Sequence, residues 1–182
     1  AAGKGIRMGS GIPKQFRSMS GEPIVLRTLR VFEACPEIDS NLPVFPSEHI
    51  EIFQDMVKST GGFTKIACFV VGGEQRQDSV YNGLTRLDPE VQMVVVHDGV
   101  RPFVTHDLIR SCIETACRQG AAVAALSAQE TVKLANKQGW VQETLPRDMI
   151  HLAQTPKAFR RERLVEAFHR AKNEGYYGTD EA

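Results

Sequence analysis

The chain has no apolar run approaching the roughly 20 residues of a membrane helix, and its first residues lack the apolar stretch of a signal peptide. A soluble, cytoplasmic protein is expected. Net charge is also missing: 22 basic and 22 acidic residues cancel, which removes the broad basic surface needed for a sequence-independent grip on nucleic acid or anionic membranes. Any anion site must therefore be local. Cysteine is sparse, and Cys35, Cys68, Cys112 and Cys117 form no C-x-x-C pair, so neither a zinc site nor a disulfide is expected, only free, buried thiols. The glycine-rich opening lacks the Gly-Lys-Ser/Thr ending of a Walker A loop. Met8 stands where a dinucleotide fingerprint needs its third glycine.

What is present begins with that same opening, AAGKGIRMGSGIPKQF (1–16). Gly3, Gly5, Gly9 and Gly11 allow the backbone to approach an anion closely, while Lys4, Arg7 and Lys14 supply charge beside it. Arg7 suits a forked contact to phosphate oxygens, and Lys14 is a point charge whose direction Pro13 helps to fix. On composition alone the stretch reads equally as a flexible terminus with scattered charges.

At 182 residues, 42% of them hydrophobic, the chain fits a single domain spanning 1–182. Strand and helix signals alternate along it, which predicts an α/β fold: a three-layer, Rossmann-like domain with a mostly parallel sheet. Helices are expected over 23–34, with Val25, Leu29 and Phe32 on one face, and over 47–58, capped by Ser47, with Ile50, Phe53 and Val57 inward. Two more run over 106–119, aligning Ile109, Cys112, Ile113, Ala116 and Cys117 before Gly120, and over 161–174, aligning Leu164, Val165, Phe168 and Ala171 before Gly175. The apolar runs at 66–71, 91–97 and 121–126 read as central parallel strands, whose carboxyl ends are where a ligand should lie. Residues 131–145 break the alternation, with two β-prone runs around Asn136–Gly139. They predict a hairpin, within an arm spanning 127–147, whose Val132, Leu134, Trp140, Val141 and Leu145 need covering by the domain or by a partner subunit.

Two strand ends carry chemistry. In VVGGEQRQDSVYNGL (70–84), Gly72 and Gly73 expose backbone groups that suit the edge of a base, and Ser79 offers a hydroxyl; a plain turn and helix cap, by Asp78 or Ser79, is the simpler alternative. In VVVHDGVRPF (94–103), Asp98 at the end of a buried strand suits Mg²⁺, a hard cation that takes carboxylate and phosphate oxygens, and Arg101 suits an anionic substrate. Asp98 capping the next turn and pairing with Arg101 is the structural alternative. His97 reads as a buried imidazole, or one that supports a ligand from behind, rather than a ligand itself.

These segments, followed by the arm with Thr131 and Lys133, LPRDMIHLAQTPKAF (145–159) and TDEA (179–182), stand in an order that resembles 2-C-methyl-D-erythritol 4-phosphate cytidylyltransferases over essentially the whole chain. The resemblance implies that CTP and methylerythritol 4-phosphate are joined with release of pyrophosphate, in non-mevalonate isoprenoid synthesis. It implies that Ala1, Ala2, Gly3, Gly5 and the loop to Met8 hold CTP, with Arg7 and Lys14 stabilising the α-phosphate. Gly73, Glu74, Ser79 and Gly99 would surround cytosine and ribose, and Asp98 would sit beside Mg²⁺ and both substrates. Arg101, Thr131 and Arg147 would contact methylerythritol phosphate, the last two from the arm of a neighbouring subunit in a homodimer.

The sequence departs from the resemblance in places. It opens at the glycine loop without the family's preceding strand and stops before the family's lysine-bearing C-terminal segment, so a longer natural chain is expected. Pro43 and Pro46 in NLPVFP (41–46) suit an edge or an irregular connection. Lys157 stands where glutamine is common, a change expected to matter little. A ribitol 5-phosphate cytidylyltransferase and a catalytically silent nucleotide-binding relative are the alternatives; RQDSV (76–80) leans towards methylerythritol phosphate and the retention of Arg7 and Lys14 towards an enzyme.

Overall fold

A computed structural model describes residues 13–178 and 180. Its strands are β1 (Ser18–Met19), β2 (Glu22–Pro23), β3 (Val44–Phe45), β4 (Val70–Val71), β5 (Met93–Val96), β6 (Ala121–Ser127), β7 (Val132–Ala135), β8 (Val141–Leu145) and β9 (His151–Arg160). The helices are α1 (Ile24–Ala34), α2 (Ser47–Thr60), α3 (Arg76–Leu84), α4 (His106–Gln119) and α5 (Arg161–Asn173).

The amphipathic stripes decide how the layers assemble. On β5, alternate side chains point to opposite faces: Val94 and Val96 pack with Leu84, Leu164 and Phe168 of α3 and α5, while Met93 and Val95 pack with Cys112 and Ala116 of α4. Helices on both faces of the strand make the three layers of an α/β fold. A second apolar centre joins Val25 and Leu26 of α1, Phe53 of α2 and Phe45 of β3. Each such fully buried side chain contributes about 1.5–3 kcal/mol. Among the described residues no helix is long and apolar enough to cross a membrane.

The ladders refine the expected strand directions. β3 and β4 pair in parallel, but β9 runs antiparallel between β5 and β6, which are thereby parallel to each other. Among the described residues, the run 121–126 is therefore not a central strand. It forms β6, on one flank of this three-stranded sheet with Leu126 exposed, and the central place belongs to β9. The apolar runs at 66–71 and 91–97 contain shorter strands than expected, Val70–Val71 and Met93–Val96. Pro43 and Pro46 bracket the two-residue β3, where the Pro43 and Phe45 carbonyls still accept from Val70 and Gly72 at 3.0 and 2.7 Å.

Two local expectations are corrected. Ser47 is the first residue of α2 rather than its cap: Pro46 holds that position, and the serine hydroxyl donates to Glu48 at 3.3 Å. Cys117 is exposed, because it lies about 100° round the helix from Ala116 and so leaves the buried stripe. All four cysteines are free thiols. The hairpin forms as expected, with β7 pairing β8 from Val132↔Leu145 to Ala135↔Val141. The Asn136 side-chain carbonyl accepts from Gln138 and Trp140 N–H across the turn, where Gly139 takes φ 88°.

Candidate active site

β5 delivers His97 and Asp98 to the sheet's edge, and three elements converge on the aspartate. Arg101 N–H donates to the Asp98 carbonyl at 3.1 Å, closing the turn through Gly99, and Arg101 Nε donates to Asp98 Oδ2 at 3.0 Å. Arg76, in the first turn of α3, donates through Nη2 to Asp98 Oδ1 at 3.0 Å. From β9, Thr155 Oγ1 accepts the Asp98 N–H at 3.3 Å. Burial alone would raise the carboxyl's pKa, but the two guanidinium groups outweigh it and hold Asp98 below its ordinary range. Arg101 also donates through Nη1 to Gln154 Oε1. The arginine therefore pairs with Asp98, as the structural alternative anticipated, while remaining largely exposed. Arg76 was missed by sequence reasoning: a charged residue in a first helical turn is indistinguishable from ordinary surface.

His97 braces this turn from behind. Its Nε2 lies 3.0 Å from the Arg101 carbonyl, which can only accept, so Nε2 carries the proton. The ring packs on Phe32 at 4.9 Å between centroids, and burial lowers its pKa, favouring the neutral form. The ring is partly buried beside the cluster.

The glycine turn before α3 is built from inside. Gly73 N–H donates to Ser79 Oγ at 3.1 Å, the Ser79 hydroxyl donates to the Gln75 carbonyl at 3.0 Å, and Gln75 N–H reaches Asp78 Oδ2 at 3.0 Å. Asp78 thus caps the helix by reaching back to its start. A Cβ on Gly73 would lie 2.3 Å from Asp78 Cβ, so the close turn requires glycine. This corrects the picture of free backbone donors: the Gly72 and Gly73 N–H groups are both committed within the fold, and Ser79, 6% exposed, ties the loop together. Glu74 projects from the turn into solvent.

The remaining candidates sit around these two turns. Lys14 is exposed in a 3-10 turn (Lys14–Phe16) directly after Pro13, and that turn is anchored by Phe16 against Phe45 and His49. Ala1, Ala2, Gly3, Gly5, Arg7 and Met8 lie outside the described residues. Thr131 and Arg147 are exposed at the base of the arm, where Arg147 Nη1 donates to the Gln129 carbonyl at 3.2 Å. On the arm itself Lys133 Nζ donates to Thr144 Oγ1 across the strands at 2.6 Å.

Among the described residues no group of three or more His, Cys, Asp or Glu side chains converges as a metal site. Asp98 is a lone carboxylate with a guanidinium on each oxygen. That donor set fits a hard cation only in the form in which phosphates and waters supply most of the ligands, as is usual for Mg²⁺ with a nucleotide.

The assembly gathers two guanidinium groups around a single carboxylate at a strand end, beside a glycine turn. The family model for 2-C-methyl-D-erythritol 4-phosphate cytidylyltransferase matches residues 1–182. The chain belongs to that family. It is 43% identical over 182 residues to the 2-C-methyl-D-erythritol 4-phosphate cytidylyltransferase of Syntrophus aciditrophicus, covering all of this chain and 78% of the relative. The Pelotomaculum thermopropionicum protein of the same name is 41% identical, with 76% of its length covered. Among solved structures, 4-diphosphocytidyl-2C-methyl-D-erythritol synthase from Anaerococcus prevotii superposes with a TM-score of 0.85 at 29% identity, over all of this chain and 76% of that one. The Francisella tularensis cytidylyltransferase gives 0.79 at 35% identity, over 100% and 80%. Membership in this family agrees with the resemblance read from the motifs, and nothing in these comparisons favours the ribitol 5-phosphate alternative.

Proposed function

We propose that the Asp98 cluster is the acceptor side of a cytidylyl-transfer site, with the glycine turns on its CTP side. The chain is a nucleotidyltransferase that takes CTP and 2-C-methyl-D-erythritol 4-phosphate to 4-diphosphocytidyl-2-C-methyl-D-erythritol and pyrophosphate, in isoprenoid biosynthesis. The observation that carries the site assignment is the double guanidinium pairing of Asp98, which concentrates exposed positive charge where a phosphate must arrive.

The reaction is an in-line displacement. A phosphate oxygen of methylerythritol phosphate attacks the α-phosphorus of CTP, a new P–O bond forms, and the bond to pyrophosphate breaks on the opposite side. The attacking oxygen is already an anion, so no side chain need remove a proton. The protein's work is to bring two highly charged phosphates together and to stabilise the charge of the transition state. Arg7 and Lys14 supply that charge at the α-phosphate. Ala1, Ala2, Gly3, Gly5, Gly73, Glu74 and Gly99 enclose the nucleotide, and Ser79 acts by holding the Gly73 turn. Arg101 turns from Asp98 towards the acceptor phosphate, and Asp98 orients the acceptor. Bound Mg²⁺ would be held by Asp98 together with substrate phosphates and would supply neutralisation of phosphate charge.

The chain acts as one domain, 1–182, whose segment 127–147 forms the dimerisation arm. Leu134, Trp140 and Val141 on that arm are 45%, 73% and 61% exposed, an apolar face that a second copy would cover, bringing Thr131 and Arg147 to the neighbour's acceptor. A cytoplasmic setting suits a reaction that uses CTP. The test is CTP-dependent pyrophosphate release with either methylerythritol 4-phosphate or ribitol 5-phosphate. Release with the first alone, lost in Lys14→Ala, supports the reading; release with the second alone would reassign the acceptor.

A further inference from the structure

After α5, Gly175 turns the chain with φ 62°, and residues 176–178 and 180 lie against α3 and β9. Gln77 grips it at two points, as a neighbouring strand would: its Nε2 donates to the Tyr176 carbonyl at 3.0 Å, and its Oε1 accepts the Gly178 N–H at 2.9 Å. Two residues on, Asp180 Oδ2 lies 2.7 Å from Lys157 Nζ. Lys157 is 2% exposed, in the middle of β9, with Val96 of β5 and Val123 of β6 as its register partners. A buried ammonium is costly unless paired, so the carboxylate of Asp180 is required where it is.

Both anchors adjoin the supports of Asp98. Gln77 follows Arg76, which holds Asp98 Oδ1. Lys157 pairs across from Val96, two residues before Asp98, and follows Thr155, which accepts the Asp98 N–H. We propose that Gln77, Lys157 and Asp180 are positioning residues: they tie the C-terminal segment to the end of β5 and so fix the acceptor side of the cluster. This rests on the reading of that side as the place where methylerythritol phosphate binds. It also revises the expectation that lysine at position 157 matters little, because that side chain is a buried charge with a fixed partner.

The experiment combines steady-state kinetics with amide hydrogen exchange over residues 176–180, in Gln77→Leu, Lys157→Met, Lys157→Gln, and the paired variant Lys157→Met with Asp180→Asn. Gln77→Leu and Lys157→Met should speed exchange in the segment and raise KM for methylerythritol phosphate about tenfold, since small misplacements at a reacting centre are costly. KM for CTP should stay within about twofold. Lys157→Gln, whose amide still donates to Asp180, should remain near wild type. The paired variant removes both charges and should recover the melting temperature that Lys157→Met loses, without recovering KM. Unchanged exchange would overturn the tether, and recovery of KM together with melting temperature would overturn positioning in favour of mere structural support. Failure of the underlying reading looks different: wild type itself would release no pyrophosphate, and the positioning role would fall with it.

Discussion

The strand end at Asp98 and the arm of β7 and β8 handle exposure in opposite ways. At the strand end, charge is gathered and paired: Asp98 with both Arg76 and Arg101, Lys157 with Asp180. On the arm, apolar side chains face water while the polar pairing is confined to contacts such as Lys133 with Thr144. A cluster paired within its own chain needs no partner to hold its geometry. An exposed apolar face is complete only when something covers it. We propose that a second copy covers the arm.

The largest expected effect comes from breaking the first region. Asp98→Asn, which leaves two guanidinium groups facing a neutral amide, and Lys14→Ala should each lower turnover by about 10²-fold or more, measured as pyrophosphate release. Retained turnover in either would remove that residue from the site. Next comes the glycine turn. Gly73→Ala places a methyl 2.3 Å from Asp78 Cβ, and the forced shift should cost about 1–3 kcal/mol, read as a lower denaturant midpoint with weaker CTP binding. An unchanged midpoint would mean that the turn relaxes freely.

The arm is expected to answer in a different readout. Trp140→Ser should leave the chain folded but weaken self-association by about tenfold or more, as loss of an exposed aromatic anchor does in other interfaces. Sedimentation that shows a dimer unaltered by the change would place the interface elsewhere. The smallest effect lies away from both regions, at Glu37, whose carboxyl is held at about 2 by the Arg110 guanidinium 2.5 Å away and by the Cys35 thiol. A carboxyl with a depressed pKa contributes stability above its ordinary value of 4.5 and loses it as pH falls towards 2. Glu37→Gln should therefore lower the neutral-pH plateau of a stability-against-pH curve slightly and flatten its acid limb, so that variant and wild type converge near pH 2, with turnover unchanged.

Much of the fold was legible because it rests on periodicity. The stripes of α1, α4 and α5 and the turn at Asn136–Gly139 state their geometry in residue spacing alone. The central strand β9 did not, because Pro156 and Lys157 interrupt its apolar pattern and mimic a surface loop. The alanine-rich run 121–126 misled in the opposite direction: small apolar side chains are compatible with a flank as well as a centre. In the site, Asp98 and Arg101 were legible from their place after an apolar run. Arg76, Gln77 and the burial of Lys157 were not, because each acquires its role through a partner distant in the chain. Ser79 was seen, with a turn-and-cap role as one of its two readings, but a sequence shows a hydroxyl without showing that Gly73 N–H and the Gln75 carbonyl are its partners.

The central claim is that the strand end of one copy and the arm of another complete a single site. It is tested most directly by mixing two variants, Asp98→Asn and Arg147→Ala, each impaired alone, and allowing subunits to exchange. If the arm acts on its neighbour, half of the dimers are mixed and each carries one intact site, so activity should return to about a quarter of wild type. Activity that stays at the average of the two separate variants would show that each arm serves its own chain, and would contradict the account.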